Sequence, residues 1–460
     1  MTQPDKILII AYHFPPDAAV GALRPQKFVK YLPEFGWKPY VLTIREQFIQ
    51  RQDASRLGDV EHAEIIRTDY WRSPLQFMLD LRDKVRPGGR IKPSGVPSDA
   101  VPAAAGAPGR SSLPARLKRT LFLFNWFPDD KLYWSVPAVV AGYRAIRREK
   151  IRTIFVTAPP HTVCLVGLIL SILTGARLVV DFRDPWSLFR QSVPEFLRCR
   201  LYDYLESACE KQVIRRADAV ICTTPRCAAA LRASYPDETA EKFVTISNGY
   251  DAADFPVDAA DVRCRNVFVI SYLGTFYLDR TPETFLAALR RLIDGGVVPL
   301  HGIEVRFVGN LDTDGRAALD RLLEKYGMGG CVRVMGPVPY ADALRCMRES
   351  DLLLLFAPNQ PLQVPAKAFE YLGARRPVLA FTEEGATADL VRAFDAGLVV
   401  RQDDCDGVMD ALEEMYQARK EGGRAWYSRG DVSRLERKFL TSRLADILTR
   451  SFDTQSQGGI

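Results

Sequence analysis

The sequence lacks the patterns that mark several common classes of protein. Its nine cysteines among 460 residues form no Cys-x-x-Cys pair and accompany no histidine cluster of zinc-site spacing, which favours buried thiols in a reducing cytoplasm. The first apolar run, ILIIAY from Ile7, is too short for a signal peptide and predicts a strand. The longest run, TVCLVGLILSILTGA from Thr162, is shorter than a bilayer span and ends at a glycine suited to a helix C-cap, so we expect a buried helix.

Several catalytic and cofactor motifs are absent as well. The chain contains no G-x-G-x-x-G after its first strand, which argues against an NAD or FAD enzyme. It also has no P-loop, no H-E-x-x-H and no Ser-His-Asp order of a hydrolase. The chemistry must therefore come from residues outside these motifs.

Positive charge is concentrated in one part of the chain. Ten of the Lys and Arg residues but only three acidic residues lie between residues 71 and 120, whereas the whole chain has a net charge of +6. This confinement argues against a nucleic-acid-coating protein. Residues 72–116 are rich in Pro, Gly, Ala and Ser and predict a mobile loop. The next stretch, LKRTLFLFNWF at 117–127, suits a membrane interface or, alternatively, a helix packed on its own domain.

Short β-rich apolar runs alternate with helix-length segments along most of the chain. KILIIAY, KPYVLTI, TIFVTA, RLVVDF and AVICTT form a first series, and a second begins near Val267. This alternation predicts an α/β fold of two Rossmann-like, doubly wound domains facing a cleft. We expect a first domain at 1–245, a second at 246–425, and a C-terminal helix within 426–455 that crosses back to the first.

Ligands of open parallel sheets bind beyond the carboxyl ends of the strands, so residues just after each run are candidates. In the first half, Gly21 suits either an anion-binding turn or a plain turn. His161 begins the apolar helix and suits either a bound hydroxyl or a helix-capping role. Asp181 and Arg183, in VVDFRDPW, suit either polyol and phosphate recognition or an internal ion-pair network. With His161, they are the candidate catalytic residues.

The second half offers a more coherent set. Gly274, Thr275 and Arg280 follow a strand and precede a helix N-terminus, an arrangement that predicts a diphosphate cradle. After another strand, the backbone from Val338 to Tyr340 is placed to read the edge of a nucleobase.

Lys367 and Glu370 share one face of a short helix that begins after Pro365 in QVPAKAFEYLGARRPVLAF. On a solvent-facing helix they would be a weak surface ion pair. The strand that follows favours a cleft position, in which Lys367 meets phosphate and Glu370 accepts from a ribose diol.

These motifs, in this order, resemble bacterial GT-B glycosyltransferases of the family 4 type over almost the whole chain except 72–116. The matching segments are FPP with VGALRPQKFVKYL, TAPPHT, DFRDPW, ISNGYD, YLGTFY and VPAKAFEYLGARRPVLAF. The resemblance implies a nucleotide-sugar donor held mainly by the second domain, an acceptor held mainly by the first, and no required metal or cofactor. It also implies retention of anomeric configuration.

The resemblance assigns roles residue by residue. Glu370 corresponds to the glutamate that binds the donor ribose, and Arg280 and Lys367 correspond to diphosphate contacts. Gly21 would lie near the donor phosphates and His161 near the reacting sugar. One position departs from the pattern, because the earlier glutamate of the family's Glu-x7-Glu signature is replaced by Leu362. Donor identity therefore cannot be inferred from that signature.

Our leading hypothesis is a cytoplasmic glycosyltransferase, peripheral at the inner face of an anionic membrane. It would move a sugar from a nucleotide diphosphate to a glycan or polyprenyl-linked acceptor in surface polysaccharide biosynthesis. Two alternatives stay open: a non-catalytic GT-B protein that binds nucleotide and regulates a partner, and a GT-B sugar-nucleotide epimerase. No nucleic-acid partner is expected.

Overall fold

A computed structural model describes most of the chain. The described ranges are 4–71, 126–184, 186–188, 199–255, 267–275, 280–311, 313–421 and 430–450. The predicted loop at 72–116 and most of the apolar stretch at 117–127 lie outside these ranges. So do the last residues, DTQSQGGI at 453–460, for which the sequence predicts disorder. Two compact units are formed: Met1–Thr223 with Ala228–Ile246 and Thr441–Ile460, and Thr224–Cys227 with Ser247–Leu440.

The first unit is built on a seven-stranded parallel sheet in the order β3-β2-β1-β4-β5-β6-β7. Its strands are β1 Asp5–Ile10, β2 Trp37–Ile44, β3 Glu64–Thr68, β4 Thr153–Ala158, β5 Arg177–Phe182, β6 Ala219–Cys222 and β7 Phe243–Thr245. Its helices are α1 Leu23–Tyr31, α2 Ser135–Glu149, α3 Thr162–Thr174, α4 Arg200–Arg216 and α5 Pro225–Ser234.

The second unit is built on a six-stranded parallel sheet in the order β10-β9-β8-β11-β12-β13. Its strands are β8 Phe268–Leu273, β9 Ile303–Val308, β10 Val332–Met335, β11 Leu352–Phe356, β12 Val378–Phe381 and β13 Gly397–Val400. Its helices are α6 Glu283–Asp294, α7 Thr313–Lys325, α8 Tyr340–Glu349, α9 Ala366–Gly373, α10 Ala386–Ala393 and α11 Cys405–Lys420.

Continuous apolar runs produce the central strands of both sheets. Every residue of β4, β8 and β11 is buried, as expected for parallel strands covered by helices on both faces. Strand order reverses between β1 and β4 in the first sheet and between β8 and β11 in the second. These are the two positions where ligands of doubly wound sheets bind. The predicted fold class is confirmed.

The apolar run from Thr162 forms helix α3 and ends at Gly175, which has the expected left-handed conformation with φ 72°. The expectation of a buried helix holds for one face of α3 only. Val163, Val166 and Leu170 are buried, whereas Ile172 and Leu173 are 64% and 57% exposed. No helix in the described ranges has the length and hydropathy needed to cross a bilayer.

Helix α12, Arg437–Thr449, lies within the predicted C-terminal range. From Thr441 onward it belongs to the first unit. Arg177, the first residue of β5, donates from Nη1 to the Leu448 carbonyl at 2.9 Å and from Nη2 to the Arg450 carbonyl at 2.7 Å. These bonds satisfy carbonyls that the end of a helix would otherwise leave without partners.

Candidate functional site

In the second unit, glycines end two neighbouring strands next to the point where strand order reverses. Gly274 follows β8 with φ +145°, and Gly309 follows β9 with φ +151°, a region that side chains rarely tolerate. A Cβ on Gly309 would lie 2.1 Å from the Gly274 carbonyl oxygen, so the two backbones pack directly. Gly274 also donates its N–H to the Val308 carbonyl at 2.8 Å. The strand end is thus held by backbone contacts and carries no side chain of its own.

Lys367, in the first turn of α9, reaches this strand end. Its Nζ lies 3.7 Å from the centroid of the Tyr272 ring, and a Cβ on Gly274 would come within 2.8 Å of that atom. Nζ is buried and makes no hydrogen bond with any residue the structure describes. Burial and the neighbouring Arg280 hold the pKa of Lys367 well below its usual value, while Glu370 opposes the shift. A buried ammonium facing a second cation suits recognition of an anion.

Arg280 and Thr275 flank the same strand end. The Tyr272 hydroxyl donates to the Thr275 carbonyl at 2.9 Å, which fixes the chain just beyond Gly274. Arg280 lies just before α6, close enough to Lys367 to lower the pKa of its ammonium group. The structure therefore brings the four predicted phosphate-cradle residues together: Gly274, Thr275, Arg280 and Lys367. The contacts of Tyr272 with Lys367 and Thr275 were not predicted.

Glu370 lies one turn beyond Lys367 on α9. The hydroxyl of Tyr340, the first residue of α8, donates to Glu370 Oε1 at 3.0 Å and lies 3.4 Å from Asp254 Oδ2. Burial and Glu370 raise the pKa of Tyr340, so its hydroxyl stays protonated and acts as a donor. Val338 and Tyr340 pack against one buried hydrophobic cluster of the second unit. The sequence indicated only the backbone of 338–340 here, whereas the Tyr340 side chain holds Glu370.

In the first unit, Gly21 and Arg183 are in direct contact. Arg183 donates through Nη1 to the Gly21 carbonyl, through Nη2 to the Pro159 carbonyl, and through Nε to the Ala158 carbonyl at 3.2 Å. A Cβ on Gly21 would lie 2.6 Å from the guanidinium, so a side chain at this position would have to displace Arg183. Burial lowers the pKa of Arg183. This arginine therefore joins the loops that follow β1, β4 and β5.

Asp181 is fully buried in an ion pair. Arg24 of α1 donates to it from Nη2 at 2.8 Å and from Nε at 2.9 Å, and the Thr157 hydroxyl donates at 2.7 Å. This geometry corresponds to the internal ion-pair network, the second of the two interpretations of Asp181. The pair links β5, β4 and α1 beneath the loops that Arg183 joins.

His161 occupies the position before α3, but its side chain makes no capping hydrogen bond. Asp129 supplies that cap: Thr162 donates its N–H to Asp129 Oδ2 at 2.8 Å and its hydroxyl to Oδ1 at 2.7 Å. The imidazole of His161 instead stacks on Trp186, with ring centroids 4.7 Å apart and planes 6° apart. Burial and Arg183 lower the pKa of His161 to about 3, so the ring is neutral near pH 7. A neutral imidazole can exchange hydrogen bonds with a sugar hydroxyl.

No group of three or more His, Cys, Asp and Glu side chains suited to a metal ion occurs in the described part of the chain.

Leu362 occupies the position of the family's earlier glutamate. Its carbonyl oxygen accepts a hydrogen bond from the Thr224 hydroxyl at 2.6 Å.

Two family models match the chain. A glycosyl transferase 4-like domain matches residues 69–249, and glycosyl transferases group 1 matches residues 267–418. Among curated proteins, D-inositol 3-phosphate glycosyltransferase of Corynebacterium jeikeium strain K411 is 26% identical over 219 residues, 45% of this chain and 51% of that protein. The match therefore spans about half the length of this relative.

Solved structures with the same fold align along nearly the whole chain. Sucrose-phosphate synthase from Thermosynechococcus elongatus has a TM-score of 0.61 at 18% identity, with 96% of this chain and 98% of that chain covered. Alr3699/HepE of Anabaena, in complex with UDP-glucose, has a TM-score of 0.59 at 14% identity, with 96% and 99% covered. At these identities the likeness concerns the fold.

Proposed function

Because the chain belongs to the GT-B glycosyltransferases of the family 4 type, we propose that it transfers a sugar from a nucleotide diphosphate to a glycan or polyprenyl-linked acceptor. The reaction would serve surface polysaccharide biosynthesis and retain the anomeric configuration. The observation that carries the proposal is the buried Nζ of Lys367 beside Gly274 and Arg280, at the point where strand order reverses.

In this proposal the second unit binds the donor. Lys367 and Arg280 neutralise the diphosphate, and the backbone at Gly274 and Thr275 approaches it closely. Glu370, oriented by the Tyr340 hydroxyl, accepts from the ribose diol. The backbone from Val338 to Tyr340 reads the base. Because Alr3699/HepE holds UDP-glucose, uridine nucleotides are the first donors to test.

In the first unit, we propose that His161 contacts the reacting sugar. Arg183 and Asp181 hold the loops around it through carbonyl contacts and the ion pair with Arg24, and Gly21 admits the Arg183 guanidinium. Retention in this scheme needs no carboxylate nucleophile, because stabilising the departing diphosphate and aligning the acceptor hydroxyl on the same face of the sugar suffice. Donor recognition needs no metal ion, because Lys367 and Arg280 supply the positive charge.

Donor binding is tested with Glu370→Ala. Ligand binding stabilises the folded state by mass action, so UDP and UDP-sugars should raise the Tm of the wild-type protein. The variant should lose that rise while keeping the Tm of the ligand-free protein within about 2 °C, since Glu370 is only partly buried. A variant that still responds to UDP as the wild type does would remove Glu370 from the donor site.

We also propose a peripheral contact with an anionic membrane. Helices α2 and α3 of the first unit pack together, and each exposes apolar side chains. Exposed arginines near the end of α2 would attract anionic headgroups. The exposed apolar residues are Val136, Val140 and Tyr143 of α2 and Ile169, Ile172 and Leu173 of α3.

The membrane contact is tested by sedimentation with vesicles of neutral or anionic lipid. Deletion of 76–120 and the double substitution of Ile172 and Leu173 by Glu are examined separately. If neither change lowers binding to anionic vesicles, the proposed membrane contact is contradicted.

The alternatives differ in their products. A non-catalytic GT-B protein would bind nucleotide but release none from any donor in a panel supplied with membrane extract. An epimerase would convert the donor sugar without an acceptor. A transferase releases nucleoside diphosphate only in step with the appearance of a glycosylated acceptor.

A further inference from the structure

Trp186 and Ser187 follow strand β5 and lie beneath His161. Trp186 is only 2% exposed, and its indole is nearly parallel to the imidazole. Rings at this separation and angle are in stacking contact, so the indole covers one face of His161. Any movement of this loop would therefore change the surroundings of the imidazole.

A buried carboxylate on α4 fixes that loop. Glu210 is fully buried and accepts from the Ser187 N–H at 2.6 Å and from the Ser187 hydroxyl at 3.0 Å. The Tyr235 hydroxyl, next to the end of α5, donates to it at 2.8 Å. Burial raises the pKa of Glu210, while these neutral donors oppose the shift. Burying a carboxylate is costly, and hydrogen bonds of this kind are what compensate for it.

The other end of the loop is fixed too. Arg183 is tied to the loops after β1 and β4, and the Thr223 hydroxyl donates to the Arg183 carbonyl at 3.0 Å. The loop that carries Trp186 is thus held on both sides of this residue. Arg183 precedes it, and Ser187, which Glu210 binds, follows it.

We propose that Trp186 and Glu210 are positioning residues that hold the imidazole of His161 dry and correctly oriented for the reacting sugar. Trp186 acts by direct stacking, and Glu210 acts through Ser187. The role of His161 in transfer rests on the proposed function, whereas the positioning itself can be measured without any substrate.

Among the described residues, few charged groups lie around His161. Arg183 lowers its pKa and a hydrogen bond with the Asp184 backbone raises it. Asp129 bonds the adjacent Thr162, and Cys164 lies one turn into α3. Since burial is the largest cause of the shift, removing the indole should expose the ring to water and restore a more ordinary pKa.

The test is a histidine NMR titration. The chain has only four histidines, so labelled imidazoles are few, and His161→Asn identifies the resonance. Between pH 8 and 5 the wild-type signal should not move. In Trp186→Leu the midpoint of the His161 titration should rise to about pH 5–6. In Glu210→Gln the same midpoint should also rise. Trp186→Phe, which keeps an aromatic face, should restore the wild-type behaviour.

Trp134 provides a matched control, because it is a fully buried tryptophan of the same unit that packs edge-to-face with Tyr12. Trp134→Leu should leave the His161 signal unchanged. A folded Trp186→Leu protein whose His161 titrates as in the wild type would overturn the proposal, as would failure of Phe to restore it.

Turnover separates this inference from the proposed function. If the wild type transfers sugar, Trp186→Leu should lower kcat by about tenfold or more and leave the donor KM nearly unchanged. An equal fall for Trp134→Leu would contradict specific positioning. If the wild type turns over no donor, the proposed function fails while the titration still decides the positioning.

Discussion

Replacing Lys367 by methionine should stabilise the ligand-free protein and abolish nucleotide binding. The Nζ atom is buried without a hydrogen bond to any described residue, and the Tyr272 ring and the nearby Glu370 compensate its charge in part. A desolvated cation–π contact contributes about 2 kcal/mol, less than the several kcal/mol that burying an unpaired cation costs. Methionine has a similar length and packs well against aromatic rings.

We expect Lys367→Met to raise the free energy of unfolding of the second unit by about 1–2 kcal/mol, which for a unit of this size is a rise in Tm of about 2–8 °C. The gain should depend on pH. The pKa of Lys367 is depressed in the folded protein and about 10.4 when unfolded. Between these values only the unfolded state holds the proton, so wild-type stability increases with pH and the variant's advantage shrinks towards pH 10.

The assay is thermal unfolding at pH 7, 8.5 and 10, with and without UDP. Lys325→Met is the matched control, because Lys325 is 58% exposed and forms a surface ion pair with Glu283. Such pairs contribute about 0–1 kcal/mol, so this variant should keep the nucleotide response. The reasoning is refuted if Lys367→Met lowers the Tm of the ligand-free protein, or if UDP stabilises that variant as much as the wild type.

Two further predictions concern contacts that support the site and the fold. Asp181→Ala removes the carboxylate partner of the buried Arg24, so we expect a loss of about 3–5 kcal/mol in urea unfolding; a loss below 1 kcal/mol would contradict the ion pair. Arg177→Ala removes two hydrogen bonds at the end of α12 and should cost about 1–2 kcal/mol. Faster amide exchange in the last turn of α12 would confirm it, and unchanged exchange would contradict it.

Strands that are apolar on both faces were predictable, and weaker strands were not. The runs that became β1, β4, β8 and β11 are continuous apolar segments, which is why their alternation with helices predicted both sheets. β3 was not predicted, because EIIRT is an edge strand with only its last residue buried. β7 has only three residues. Pairing with a neighbouring strand, rather than local composition, defines these two.

The residues of the candidate site likewise divide into those that the sequence predicted and those that it did not. Strand-end positions predicted Gly274, Arg280 and Lys367, because carboxyl ends of parallel strands meet at one edge. The contacts of Trp186 and Glu210 were not predictable. Glu210 bonds a backbone amide 23 residues away, and no local pattern marks a buried carboxylate on a helix. Such partners are defined by tertiary packing.

The most direct test of the central claim is transfer of labelled sugar from UDP-sugars to membrane lipid extract, with the product identified by mass spectrometry. A glycosylated acceptor should appear with the wild-type protein, together with an equal amount of UDP, and should be absent with Lys367→Met and Glu370→Ala. UDP-dependent stabilisation without any glycosylated product, or conversion of the donor sugar without acceptor, would contradict a glycosyltransferase.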